Sequence, residues 1–383
     1  MSMFTLTQRS LQHRAYQIVG WAIGIGIILY LPYQADQVVR IDQYSEVAAI
    51  AVAILGLSLV TGYGGAISLG HSAFVGIGAY TTVILVADHD WSYFATLPVA
   101  FAICFAVGIL LGIPALRIRG IYLAIVTLAL ATVFPAIVIK YGTLTGGTTG
   151  KMAQDKLLPP GWTPWDVGDR TGPPTYRYFV IVAIAALMFL LARNLLRSRV
   201  GRALIAQRDN QTSAATSGVN VAVYRTLIFG ASTAFAGIAG SLLMIQRPQA
   251  TETRFGVTLA VYLFAALVLG GVATISGAIP GAILFVFVPY YTARWSTNFS
   301  FLEGRLVAPA DLLYGVLLLA VVFVLPGGVV DGIRRLRMRV VRILPNPAWL
   351  SSVRPADRTA TAATERAPDQ EHDDAPAPPN PHH

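Results

Sequence analysis

Charge is scarce in this chain. Asp, Glu, Lys and Arg make up 12 % of its 383 residues, against about 25 % in soluble domains. That is too little polar side chain to cover a water-facing surface. Cysteine is nearly absent: Cys104 stands alone, which excludes an intrachain disulfide and the multi-cysteine zinc sites. Lysine is rare as well, 3 residues against 25 Arg. The sequence offers no paired carboxylates and no metal-ligand cluster, so neither a membrane enzyme nor a metal or other cofactor is expected. What is abundant is apolar: 55 % of residues, with a mean hydropathy of +0.61. This composition predicts an all-α polytopic membrane protein. The net charge of +9 does not point to nucleic acid, because it sits in short segments between apolar runs, where it reports orientation.

Runs near 20 residues cross ~30 Å of hydrocarbon as helices. Ten are predicted, at 17–32, 45–62, 66–87, 95–116, 121–140, 176–192, 226–245, 257–272, 277–292 and 310–326. Their connections divide unevenly. Residues 1–16, 63–65, 117–120, 193–225, 273–276 and 327–383 hold 18 Arg, no Lys and 8 acids; the remainder holds 10 basic and 11 acidic residues. The positive-inside rule then places both termini in the cytoplasm.

Three domains follow: a cytoplasmic N-terminus (1–16), a transmembrane domain (17–343) and a tail (344–383). The tail carries eight Pro, several acids and few large apolar residues, a composition that predicts disorder. Within the transmembrane domain, loop 141–175 is external and loop 193–225 is cytoplasmic. Gly332–Arg342 (GIRRLRMRVVR) reads as a basic stop segment lying on anionic lipid headgroups.

Two glycine-rich stretches interrupt the apolar pattern. Gly62–Tyr80 reads GYGGAISLGHSAFVGIGAY. Gly76 and Gly78 suit helix packing, whereas Gly64, Gly65, Ser68, Gly70 and His71 look like a broken helix lining a polar path. His71 is the one ionisable side chain well inside an apolar run. It is either a pathway group or, the favoured reading for want of a carboxylate partner, a neutral imidazole bonded across helices. Val268–Ala282 reads VLGGVATISGAIPGA and echoes the first stretch with Gly270, Gly271, Ser276 and Gly277. Thr145–Met152 (TGGTTGKM) fails as a Walker loop: the first Gly is replaced by Thr145, and Met152 has no hydroxyl for Mg²⁺. The internal stretch Gly201–Arg225 (GRALIAQRDNQTSAATSGVNVAVYR) is either a solvated linker or a helix that docks a cytoplasmic partner.

Taken in order, these segments resemble the permease subunits of branched-chain amino acid ABC importers, the LivM type. The resemblance rests on GYGGAISLGHSAFVGIGAY, on IRGIYLAIVTLAL (118–130) followed by LTGG (144–147), on GRALIAQRDNQTSAATSGVNVAVYR, on VLGGVATISGAIPGA and on LPGG (325–328), and it covers about 45–330. It departs from the family at Gln211, Thr212, Ser213 and Ala215, where the family has acidic and Ala residues, at the shifted Pro280, and in the tail. The resemblance implies a substrate path for branched-chain or related amino acids, with no ATPase site of its own. Its partners would be a second, LivH-like permease, two cytoplasmic ATPase subunits, an extracytoplasmic binding protein and membrane lipid. Pathway candidates are Gly64, Gly65, Ser68, Gly70, His71, Thr127, Gly270, Gly271, Ser276 and Gly277. ATPase-coupling candidates are Gly201, Arg202, Arg208, Asp209, Ala214, Ala215 and Gly218. Related ABC permeases for urea, short amides or sugars share the glycine-rich core and stay open as alternatives. An ion-coupled secondary transporter is disfavoured, since no acid lies mid-span.

Overall fold

A computed structural model describes residues 38–115, 121–153 and 168–298, with shorter stretches at 4–7, 328–332 and 341–344 and the single positions 26, 30, 315 and 335. The chain divides into two compact units. In the unit formed by 1–25 and 336–383, strand β1 (Phe4–Thr7) pairs in parallel with β4 (Val341–Leu344). The tail beyond Leu344, the predicted loop portion 154–167 and nearly all of the predicted spans 17–32 and 310–326 lie outside the described residues.

The described residues of the unit 26–335 are mostly helical. Its main elements are α1 (Val38–Ser58), α2 (His71–His89), α3 (Tyr93–Ala115), α4 (Ile121–Lys140), α5 (Gly168–Arg197), α6 (Arg199–Asp209), α7 (Gln211–Thr216), α8 (Val221–Gln246), α9 (Val257–Gly270) and α10 (Ala278–Asn298). Among the described residues, eight helical segments are long and apolar enough to span a bilayer, and they coincide with the eight inner members of the predicted ten. Lys151–Met152 (β2) and Gln249–Ala250 (β3) form a two-residue antiparallel pair.

Helix α8 is the hub: 94 % of its span is buried, against 22 % for α3 and for the span in α5. Its sequence explains this, because Gly, Ala and Ser let helix backbones approach where lipid gives no hydrophobic drive. A β-carbon on Gly240 would lie 1.9 Å from Val75 O of α2, and one on Gly78 would lie 2.0 Å from Gly237 O. Hydroxyls add interhelical bonds: Thr82 Oγ1 donates to Ser241 Oγ at 2.8 Å, and Thr233 Oγ1 to Cys104 O at 2.8 Å. The peripheral helices instead turn bulky apolar side chains outward, among them Leu110, Ile113, Ile125, Val126, Leu187 and Leu190.

The connections sort into two faces, as an alternating topology requires. On one, Lys151 pairs with Asp88, Ala153 N donates to Pro248 O at 2.9 Å, and Gln246 Nε2 donates to Asp42 O at 2.8 Å. Arg247–Asp42 and Arg254–Glu46 each stand 4.0 Å apart there. The opposite face gathers 62–65, 199–218 and 271–277. Those are connections that the charge pattern assigns to the arginine-rich side.

Candidate functional site

The first glycine-rich stretch is broken where the spacing of Gly64, Gly65 and Gly70 predicts. α1 widens into a single π-turn, Leu59–Tyr63, in which Gly64 N donates to Leu59 O at 2.9 Å and Ala66 N to Val60 O at 3.1 Å. Gly65 then takes φ +68°, a conformation that strains any residue with a β-carbon. Residues 65–70 run without helix while Ala66, Ser68 and Gly70 are buried. Non-helical backbone at membrane depth persists only where its polar groups find partners inside the protein. Leu69 N donates to Thr127 Oγ1 at 2.9 Å, and that hydroxyl donates to Ala124 O at 3.0 Å. A β-carbon on Gly70 would lie 2.7 Å from Thr127 O, so Thr127 and Gly70 fix the non-helical run against α4.

His71 opens α2 inside the bundle and is 1 % exposed. Its Nε2 lies 2.7 Å from Ser232 Oγ of α8, and its Nδ1 lies 3.2 Å from Ser68 Oγ. The tautomer follows from counting protons. Ser232 spends its hydroxyl hydrogen on Gly56 O at 2.6 Å, so Nε2–H donates to Ser232 and Nδ1 accepts from Ser68. This is the cross-helix imidazole that the lone His71 suggests. The buried hydroxyls of Ser58, Thr61 and Ser72 find no hydrogen-bond partner among the described residues.

The second stretch is also broken, between α9 and α10, where 271–274 are non-helical and Ile275–Gly277 form a 3-10 turn. Gly271 has φ +121° and Ala273 φ +62°. A β-carbon on Gly270 would lie 2.0 Å from Gly277 O, and one on Gly277 would lie 2.4 Å from Thr274 Oγ1; Ser276 is exposed. The two interruptions meet. A β-carbon on Gly62 would lie 2.4 Å from Ala273 N. Gly328 of the LPGG motif, at φ +77°, would place a β-carbon 2.8 Å from Gly271 Cα.

The internal segment forms two helices. Ser198 caps α6 and Asn210 caps α7 through their side chains. Gly201 is a packing residue, since its β-carbon would lie 2.2 Å from Leu196 O. Arg202 Nη1 donates to Arg197 O at 3.1 Å. Gly218 ends the pair at φ +83° with nothing within 4 Å of a would-be β-carbon. Among the coupling candidates, Ala214 is 4 % exposed and packs within the chain, whereas Ala215 and Gly218 are exposed. Arg208 is exposed, and its Nη1 donates to Gly62 O at 3.1 Å while Nε and Nη2 hold Asp209 Oδ1 at 3.0 and 2.9 Å.

Ser232, Gly56, Gly62 and Ala273 complete the site and are absent from the sequence-based set. Gly62 lies inside the quoted motif, and its proximity to the break is a usable signal. Ser232 sits in an unremarkable GASTAF run, and nothing local marks it as the partner of a residue 161 positions away.

An all-helical bundle whose two glycine interruptions meet at one face is a polytopic membrane protein of the transporter class. More narrowly, the chain belongs to the family described as branched-chain amino acid transport system / permease component, whose model matches residues 42–324. Among similar proteins, the high-affinity branched-chain amino acid transport permease LivM of Escherichia coli K12 is 31 % identical over 251 residues, 61 % of this chain and 58 % of its own length. The aligned stretch thus spans less than two thirds of that relative, and the same holds for the Salmonella typhimurium LivM, 30 % identical over 58 % of its length. A probable LivH permease of Methanocaldococcus jannaschii is 25 % identical over 72 % of this chain and 86 % of its own. No solved structure matches.

Proposed function

We propose that the chain is the transmembrane permease subunit of an ABC importer for branched-chain or related amino acids in the cell membrane. Separate ATPase subunits would drive it, a LivH-like second permease would complete the path, and an extracytoplasmic binding protein would deliver substrate. The observation that carries this reading is the convergence of 62–65, 271–275 and α6–α7 at one face, in a chain whose family match runs from 42 to 324. The arginine bias makes that face cytoplasmic. A substrate route along the first interruption is supported by the unpartnered hydroxyls of Ser58, Thr61 and Ser72, which can replace part of a polar solute's hydration. The exposed end of α7 and Gly218 offer a seat for an ATPase subunit.

The test is reconstitution in vesicles. Labelled leucine should enter only with ATP, the ATPase subunits and the binding protein, and excess unlabelled urea or sugar should not compete. Uptake that follows an ion gradient with ATP held constant would overturn the reading. Purified chain alone should bind no nucleotide.

A further inference from the structure

The part of Arg208 in this site is not one that its charge suggests. We infer that Arg208 is a positioning residue that links the α6–α7 segment to both glycine interruptions. This deepens the proposed function and rests on it.

The geometry is a contiguous relay. The Arg208 stem lies across Gly65, where a β-carbon would stand 3.0 Å from its Cγ. Its guanidinium divides its donors: Nη1 goes to Gly62 O, while Nε and Nη2 go to the neighbouring Asp209. Asp209 therefore fixes the plane of the fork, and the fork fixes the Gly62 carbonyl. Gly62 presses on Ala273, and Gly271 of that same interruption abuts Gly328. Beyond the Arg208 side chain each step is backbone against backbone, and the bond from Nη1 to Gly62 O is charge-assisted. Ala273 holds a left-handed φ of +62° without being glycine, so the second interruption already stores backbone strain. A shift of α6 would move Gly62 O, and Gly62 could not move without displacing Ala273. A guanidinium is required because it can serve two acceptors in a fixed plane, whereas an ammonium is a single point charge.

The experiment uses the assembled transporter with its ATPase subunits. Leucine uptake per ATP hydrolysed is measured together with hydrogen exchange of 62–70, 211–218 and 271–277, with and without bound nucleotide. Arg208→Gln should lower uptake per ATP by about tenfold, the scale of one charge-assisted hydrogen bond, while the ATPase subunits still co-purify. Nucleotide should still change exchange at 211–218, but the response at 62–70 should vanish. Arg208→Lys should behave like Arg208→Gln, and Asp209→Asn should act in the same direction. These two variants carry the test if the Arg208→Gln chain does not fold in the membrane. Full coupling in Arg208→Lys would mean that charge alone suffices and would overturn the linkage. Loss of ATPase co-purification in Arg208→Gln would make the residue a docking contact and overturn it equally. Absence of any nucleotide response at 211–218 in the wild type would instead count against the proposed function.

Discussion

Adding one methyl group at Gly240 should pry apart the two helices that carry the His71–Ser232 bond. In Gly240→Ala the new carbon would meet Val75 O at 1.9 Å and Ala79 N at 2.7 Å, both backbone atoms of α2. Neither can rotate away, so the helices must separate by at least about 1 Å before the contact becomes tolerable. A gap of 0.5–1 Å already forfeits roughly a quarter to a half of each van der Waals well along the crossing. The cost belongs at the upper end of the roughly 1–3 kcal/mol typical of overpacking. The same displacement stretches the 2.7 Å bond from His71 to Ser232. By contrast, Gly218→Ala meets open space and bears only the strain of its positive φ, about 1 kcal/mol. Thermal unfolding of the detergent-purified chain, followed by size-exclusion fluorescence, compares them. Gly240→Ala should melt roughly 5 °C or more below the wild type, and Gly218→Ala should stay closer to it. If Gly240→Ala melted with the wild type, α2 and α8 would not cross where described.

The remaining predictions concern the polar relay, the sidedness and the α7 surface. Ser232→Ala orphans both the His71 Nε2–H and the Gly56 carbonyl; with His71→Leu it should show a coupling energy of about 1 kcal/mol in a double-mutant cycle of unfolding, and simple additivity would remove the relay. In a Cys104→Ala background, Thr148→Cys should react with an impermeant thiol reagent from outside and Ser213→Cys only after permeabilisation; labelling of position 213 from outside would invert the topology. Ala214→Trp should lower folded yield, because Ala214 is buried, whereas Ala215→Trp should leave yield intact and weaken ATPase co-purification. The opposite pattern would mean that α7 is turned the other way.

Much of this protein was legible from order along the chain. Span lengths, the arginine bias and the glycine interruptions are set by requirements that act locally: hydrocarbon thickness, the charge of a connection, and the absence of a β-carbon at Gly65 and Gly218. Hence the eight inner spans, the break after Gly64 and the left-handed end of α7 follow from composition and spacing. What only tertiary structure decided is which groups face one another. A helix of small residues such as α8 can pack on any side, so nothing in 226–245 announces that Ser232 accepts a hydrogen bond from His71, or that Gly240 meets Val75. The burial of Ala214 and the contact of Arg208 have the same origin. On a helix as short as α6, rotation is set by the neighbours it rests on, and Arg208 reaches Gly62 O, 146 residues distant in sequence.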